Sequence, residues 1–215
     1  MLHLFSEFIT CLLAILIFRK LDAFSRLIAV QVCIAFLVEF LGWQMRLHLQ
    51  RNTWLYNCYM PVEFSLLFIA TRQHFKSRIL AWLLVLLVFY WSCWCAEIYY
   101  QSIHVFAVKT YVIGALILLV SYFFVLYKSA WNRMSLFKQS QFWFAIGVIL
   151  FFGCNIPFFS MYDYIVENST DYQMDLLTNL MMVFTHFRYL CTAIGFILVF
   201  LEFKNNKQKL IANAE

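Results

Sequence analysis

The sequence predicts an all-α fold, a single domain built as a bundle of seven transmembrane helices. Two observations support this prediction. Hydrophobic residues make up 64% of the 215 residues and charged residues only 13%, far from the balance of a water-soluble domain. The apolar residues also form long segments. Because a bilayer core about 30 Å thick needs roughly 20 residues per helix, seven spans occupy nearly the whole chain and leave no room for a soluble domain.

Each apolar segment is interpreted as a helix, because lipid offers no partners to an open backbone and no segment alternates as a barrel strand does. The first segment, residues 4–18, lacks the basic leader and the small-residue cleavage site of a signal peptide. We therefore expect it to be a retained span. The other spans are expected at residues 26–45, 54–72, 79–98, 104–127, 141–161 and 176–203.

Basic residues predict the direction of each span. They flank the first, third and fifth connections and follow the last span: Arg19, Lys20, Arg26, Arg72, Lys76, Arg78, Lys128, Arg133, Lys138, Lys204, Lys207 and Lys209. The second connection has only Arg46 and Arg51, the fourth has neither Lys nor Arg, and the sixth is acidic. Because Lys and Arg accumulate on the cytoplasmic side, we expect the N-terminus outside and the C-terminus in the cytoplasm.

In this orientation, the ionisable residues within the spans gather in the outer half of the bundle. At 1.5 Å per residue, Glu39 lies about 10 Å below Arg46, and Glu63 lies about 14 Å below the start of the third span. The same arithmetic brings Lys109 and Arg188 to the outer half. Glu7 and Glu97 are expected nearer the surface. Two bases thus face two acids at similar depth, which predicts a polar site.

Helical spacing adds further residues to this site. Tyr56 and Tyr59 share a helix face with Glu63, and Asn155 lies at a similar depth on the sixth span. The candidate ligand-binding residues are therefore Glu39, Glu63, Lys109, Asn155, Arg188, Tyr56 and Tyr59. Because an ionisable group in lipid costs at least about 2.5 kcal/mol, these groups should point into the bundle. They would form either an outward-open pocket of about 300 to 1,000 Å³ or a structural network that fixes helix register.

The two prolines of the chain, Pro61 and Pro157, lie in the outer halves of the third and sixth spans. A proline within a helix frees the carbonyl group four residues earlier, here those of Asn57 and Gly153. We expect both carbonyls to need partners, and Asn155 is placed to supply one of them. The same regions are candidate hinges.

No cofactor or metal site is predicted. All seven cysteines fall within predicted spans, as small packing residues do, and Cys93 and Cys95 point to nearly opposite faces of a helix. The histidines are scattered and form no i,i+4 pair. The net charge of +5 is explained by the inner flanks, so anionic membrane lipid rather than nucleic acid is the expected partner.

The polar site favours a receptor-like or sensor-like protein that binds an unidentified small molecule, over an enzyme. An intramembrane lipid hydrolase is the enzyme alternative, with Glu39 and Glu63 as an acid and base pair. A small-solute transporter and a structural accessory subunit are further alternatives, although the chain shows neither an internal repeat nor a Pro-Gln motif. A retinal photoreceptor is disfavoured because the last span offers Arg188 and no lysine.

The segments Trp54-Leu55-Tyr56-Asn57 and Met60-Pro61-Val62-Glu63-Phe64, with Arg188-Tyr189 and Ala193-Ile194-Gly195-Phe196, resemble a group of uncharacterised bacterial seven-helix membrane proteins. This resemblance implies a bacterial inner (plasma) membrane and brings no known activity. Only about a dozen residues follow the last predicted span. A sensor of this kind is therefore expected to signal through a separate partner protein.

Overall fold

The computed structural model describes residues 2–74, 77–130 and 135–212, and these residues form eight α-helices and no strand. The helices are α1 (Leu2–Ile17), α2 (Ala23–Leu47), α3 (Thr53–Thr71), α4 (Ser77–Gln101), α5 (Val108–Ala130), α6 (Ser140–Ser160), α7 (Tyr162–Asn168) and α8 (Asp171–Ala212). Short 3-10 turns lie at Phe18–Lys20, Arg72–His74 and Leu136–Lys138. The all-α prediction is confirmed.

Four of the described helices are long and apolar enough to cross a membrane: α2, α5, α6 and the Tyr172–Lys204 part of α8. The seven segments read from the sequence coincide with α1 to α6 and α8, while the number of spans and their direction stay predictions. Of the basic residues assigned to the inner side, Lys76 and Arg133 lie outside the described residues.

Three of the helices differ from the prediction. α5 begins at Val108 rather than near residue 104, because residues 102 to 107 form a connection held by a side chain of α3. The acidic connection before the last span contains the short helix α7. α8 is longer than its apolar part, since it begins at Asp171 and continues to Ala212.

Six helices form a closed ring in which α1, α2, α3, α5, α6 and α8 each pack against the next, and α8 packs back against α1. α4 lies outside this ring, against α3 and α5. The largest fully buried side chains of the described residues are aromatic: Phe24, Tyr122, Phe144, Phe152 and Phe196. The ring brings α3 and α8, which are distant in sequence, to opposite walls of one core.

The surface of the bundle is apolar while several polar groups are buried. Leu16, Val88 and Val120 are all more than 60% exposed. In contrast, the buried side chains include Glu7, Gln31, Asn57, Asn155 and Arg188. Water-soluble proteins show the opposite distribution, so this surface is suited to lipid.

Two glycines, one on α6 and one on α8, allow the close contact between these two helices. A Cβ atom on Gly147 would lie 3.2 Å from the carbonyl oxygen of Arg188 and 3.1 Å from Cβ of Cys191, and one on Gly195 would lie 2.8 Å from the Phe144 ring. The small residues therefore let α6 and α8 approach closely, as small residues do between packed helices. This contact fixes the part of α8 that carries Arg188.

Candidate functional site

The centre of the candidate site is an ion pair between α3 and α8. Nη2 of Arg188 lies 2.7 Å from Oε1 of Glu63, and the two side chains are only 5% and 12% exposed. Gln31 on α2 donates from Nε2 to the same Glu63 oxygen at 3.1 Å and to the Tyr59 hydroxyl at 2.9 Å. A single carboxylate oxygen thus joins three helices.

Aromatic rings also contact the Arg188 guanidinium. Its central carbon lies 4.6 Å from the centroid of the Phe151 ring and 5.3 Å from that of Phe152, both on α6. A guanidinium over an aromatic face gains roughly 0.5 to 2 kcal/mol, with the larger value where water is excluded. Arg188 is therefore positioned by Glu63 and by two rings, and α6 contributes to the site through packing.

A second carboxylate, that of Glu39, lies two turns further along α2 than Gln31. The Tyr56 hydroxyl donates to Oε2 of Glu39 at 3.0 Å, and both residues are half-buried. The backbone of Gly42 approaches the same tyrosine so closely that a Cβ atom there would lie 2.7 Å from the hydroxyl. Nδ2 of Asn52 donates to the Gly42 carbonyl at 3.2 Å, which ties the ends of α2 and α3 together.

A third carboxylate comes from α1. Glu7 is 1% exposed and lies within electrostatic range of Glu39, Glu63 and Arg188. Its Oε2 atom is buried without a hydrogen-bond partner among the described residues. The depth predicted for Glu7 in the membrane stays a prediction; within the bundle, its side chain is buried where α8 packs against α1. We call the set Glu7, Gln31, Glu39, Tyr56, Tyr59, Glu63 and Arg188 the buried polar cluster.

Of the residues predicted for the site, Lys109 lies elsewhere and Asn155 makes no hydrogen bond to the others. The Lys109 side chain is exposed, because it belongs to the first turn of α5 and not to the middle of a span. Asn155 is buried on α6, and its amide oxygen and nitrogen both lack a hydrogen-bond partner among the described residues. Asn155 therefore does not bind the carbonyl of Gly153 freed by Pro157, and that prediction is wrong. The Tyr111 ring of α5 is its polar neighbour.

The carbonyl freed by the other proline does find a partner. Nε1 of Trp94 on α4 donates to the Asn57 carbonyl at 3.0 Å. The Asn57 side chain, fully buried, donates to the carbonyls of Ile103 and Val105 at 2.7 Å each and accepts from the Ala107 amide at 3.1 Å. The carbonyl that Pro61 leaves free within α3 thus binds α4, and the side chain of the same Asn57 binds the connection to α5.

A cleft of about 940 Å³ lies where the ends of α4, α5, α6 and α7 meet. Its lining includes Lys109, Glu97, His104, Phe106 and Tyr162. The volume is within the range expected for a ligand pocket, but Lys109 alone of the predicted ligand-binding residues lines it. The cleft and the buried polar cluster are therefore separate features.

Glu97 closes one wall of this cleft by capping α5. Its Oε1 accepts from the Lys109 amide at 3.0 Å, and its Oε2 accepts from the Thr110 amide and hydroxyl at 2.6 Å each. The first amides of a helix have no partner within the helix, and the helix dipole favours a negative charge there. A carboxylate from α4 thus fixes where α5 begins.

We expect Glu97→Gln to lower the free energy of unfolding by about 1 to 2 kcal/mol, the range for losing a charged helix cap. The amide keeps one acceptor oxygen but loses the charge and the second acceptor. Denaturant titration and hydrogen exchange at the Lys109 and Thr110 amides would measure this. Unchanged exchange at both amides would show that Glu97 does not cap α5.

No protein-family model matches the chain, and neither a curated protein nor a solved structure is significantly similar to it. The resemblance to bacterial seven-helix proteins accordingly stays an expectation. What the fold and the site define is a class: an all-helical protein with helices suited to a membrane and an ionic cluster buried among them.

Proposed function

We propose that the protein is a receptor-like membrane protein whose buried polar cluster binds a small molecule. The observation that supports this best is the Glu63–Arg188 ion pair, buried between helices of an apolar bundle. Ionisable residues inside a membrane are costly and mark functional sites by default. Glu39, Tyr56 and Tyr59 keep part of their surface accessible, so the cluster can be reached by a ligand.

The arrangement proposed in the membrane has seven spans, with the N-terminus outside and the C-terminus in the cytoplasm. The distribution of Lys and Arg between alternate connections supports this direction. The buried polar cluster then lies in the outer half of the membrane and takes its ligand from outside. A bacterial inner membrane, with its anionic lipids, is the proposed location.

In this proposal, α8 transmits the effect of ligand binding to a partner protein. A ligand can shift a protein between two helix arrangements only if it binds them with different affinity. Because Arg188 lies on α8 and Glu63 on α3, a ligand that competes for either charge changes the relative stability of two packings of these helices. α8 continues as a helix to Ala212, so a movement at Arg188 would reach a partner protein on the cytoplasmic side.

A thermal-shift screen tests this function. The detergent-purified full chain would be screened against a library of lipids and metabolites, in parallel with Glu63→Gln, Glu39→Gln and the matched surface control Glu167→Gln on α7. We expect a compound that raises the melting temperature of the native chain and of the control. We expect that shift to be lost in both cluster variants, each compared with its own baseline.

Two results would contradict the proposal. A shift that survives in both cluster variants but is lost in Glu97→Gln would place the ligand in the 940 Å³ cleft. The absence of any shift, with Glu63→Gln merely less stable, would support the structural interpretation of the ion pair.

A lipid hydrolase remains the second proposed function, and one observation favours it. Glu39 is not bound to Arg188 and lies within electrostatic range of another carboxylate, Glu7. Carboxylates in different environments can divide the roles of acid and base. Under this alternative, Glu39→Gln abolishes turnover of a lipid substrate and leaves substrate binding nearly unchanged.

A further inference from the structure

A cleft of about 430 Å³ lies between α1 and α2, apart from both the buried polar cluster and the larger cleft beside α5. Except for Arg19 at one end, the side chains that line it are apolar or, at Cys33, a thiol. Ile15 and Leu37 are 60% and 56% exposed, whereas Ala29 is fully buried. The cleft is therefore a groove on the outside of the bundle, and we call it the α1–α2 groove.

The α1–α2 groove is about as long as one leaflet of a membrane is thick. Arg26, Val30, Cys33 and Leu37 share one face of α2, because their spacing follows successive helical turns. Leu37 lies about 16 Å further along α2 than Arg26 at 1.5 Å per residue, and half of a hydrocarbon core of about 30 Å is about 15 Å. The Sγ atoms of Cys11 and Cys33 lie 3.3 Å apart, so the two helices are in contact along this length. The groove thus has the length and the apolar lining that suit one acyl chain.

Two arginines lie at one end of the groove. Arg19 lines it and follows the end of α1, and Arg26 lies one turn before Val30 on the same face of α2. Both side chains are exposed, and neither forms an ion pair with any residue that the structure describes. The apolar groove therefore ends at two positive charges.

The neighbouring charged groups already have partners. Nζ of Lys20 lies 4.5 Å from the centroid of the Phe200 ring on α8. The Asp22 carboxylate accepts from the Ser25 amide at 3.1 Å, as the N-cap of α2. The two arginines are thus the basic residues at this end that remain to bind an anion from outside the chain.

We propose that the α1–α2 groove binds one molecule of an anionic phospholipid, with an acyl chain along the groove and the phosphate between Arg19 and Arg26. The inference goes beyond the receptor function and rests on the proposed membrane location. The planar guanidinium of arginine matches two phosphate oxygens, and basic pockets between helices on the cytoplasmic side bind lipid head groups. A soluble anion would use the arginines but not the apolar groove, so the occupant is a lipid.

The head group, rather than the acyl chain, selects the lipid. A chain that enters the groove leaves other lipid tails and not water, so it gains packing contacts but little from the hydrophobic effect. A zwitterionic head group brings a positive charge beside the arginines and offsets the charge of its phosphate. The site should therefore prefer a head group with net negative charge.

Native mass spectrometry of the full chain in a nonionic detergent tests this site. Dioleoylphosphatidylglycerol and dioleoylphosphatidylcholine, which have the same acyl chains, would be titrated separately. We expect one phosphatidylglycerol molecule to be retained per chain at a concentration at least about tenfold lower than phosphatidylcholine requires. Equal retention of the two lipids would overturn the proposal. Glycerol 3-phosphate, which has no acyl chain, should not bind in this range, and binding as tight as that of the lipid would show a site for free phosphate instead.

Arginine variants locate the phosphate. Arg19→Gln and Arg26→Gln should each weaken phosphatidylglycerol binding by about fivefold, the factor that corresponds to the roughly 1 kcal/mol gained by a basic residue near an anionic membrane surface. Arg72→Gln is the matched control, because Arg72 is also exposed and follows α3 on the same proposed side of the membrane. Equal weakening by Arg72→Gln would show only a diffuse attraction to the basic flanks and would contradict a defined site.

A bulky side chain should close the groove. Val30→Trp places an indole in it and should abolish the retained lipid, while Val120→Trp, on an exposed face of α5, should keep it. Ile34→Trp, which fills the same groove one turn further along α2, serves as a second variant if Val30→Trp does not fold. Phosphatidylglycerol that stays bound to a folded variant with a filled groove would overturn the inference.

This inference and the receptor function can fail separately. If phosphatidylglycerol shows no preference but a library compound binds and requires Glu63, the receptor function stands and the lipid site is wrong. If the lipid binds and requires both arginines while no compound binds the buried polar cluster, the lipid site stands alone.

Discussion

Replacing Glu63 by Gln is expected to lower the free energy of unfolding by about 3 to 5 kcal/mol, the cost of removing one partner of a buried ion pair. The amide keeps the shape of the side chain and can still accept from Gln31. Arg188, however, would keep its charge at a position only 5% exposed, with no carboxylate in direct contact. Reversible unfolding in mixed detergent micelles would measure the loss, which should be the largest of any single Glu→Gln change in this chain.

Two further variants separate the ion pair from the packing around it. Glu63→Gln combined with Arg188→Met should recover much of the loss, because no buried charge is left unpaired and Met fills a similar volume beside Phe151 and Phe152. Glu167→Gln, on the exposed face of α7, should change stability by less than about 0.5 kcal/mol. A cost for Glu63→Gln no larger than that of Glu167→Gln would show that the pair contributes little to stability.

The sequence predicted the helices well, because the length of an apolar segment and its polar ends are local properties. It also brought Glu63 and Arg188 to a common depth, since depth follows from counting residues at 1.5 Å each. The same counting misplaced Lys109. Its position depends on where α5 begins, and that boundary is set by Glu97 and Asn57 from other helices. A capping interaction between distant segments has no local signal.

The composition of the site was predicted only in part for a similar reason. Depth gives no information on which face of a helix turns inward, so Glu7 was not among the predicted ligand-binding residues, although α8 packs against α1 and the Glu7 side chain is buried. Gln31 bridges Glu63 and Tyr59. Its place in the site could have been predicted from the sequence, because it is an amide side chain within a long apolar span. Asn155 was predicted as a ligand-binding residue; its amide lies beside Tyr111 and makes no hydrogen bond to the Glu63–Arg188 pair.

The second large effect is expected at Asn57, where the change to Asp should cost about 3 kcal/mol or more. Its Nδ2 donates to two carbonyls at 2.7 Å each, those of Ile103 and Val105. A carboxylate of the same shape would present an acceptor to both carbonyls. Two buried hydrogen bonds would be lost, at about 1 to 3 kcal/mol for each group left unsatisfied, and a charge would be buried without a partner.

This substitution should act on a defined part of the chain. The Ala107 amide could still donate to the new carboxylate, as it does to Oδ1 of Asn57 at 3.1 Å, but the turn before it would lose both of its attachments to α3. Hydrogen exchange should therefore accelerate in the 102–107 connection and at the start of α5, before it does so in α6 or α8. Asn52→Asp is the matched control, because Asn52 is half-buried and makes one such bond, to the Gly42 carbonyl at 3.2 Å. If the two Asn→Asp changes cost the same, the Asn57 side chain does not hold α4 and α5 in place, and the cleft that they border owes its shape to packing alone.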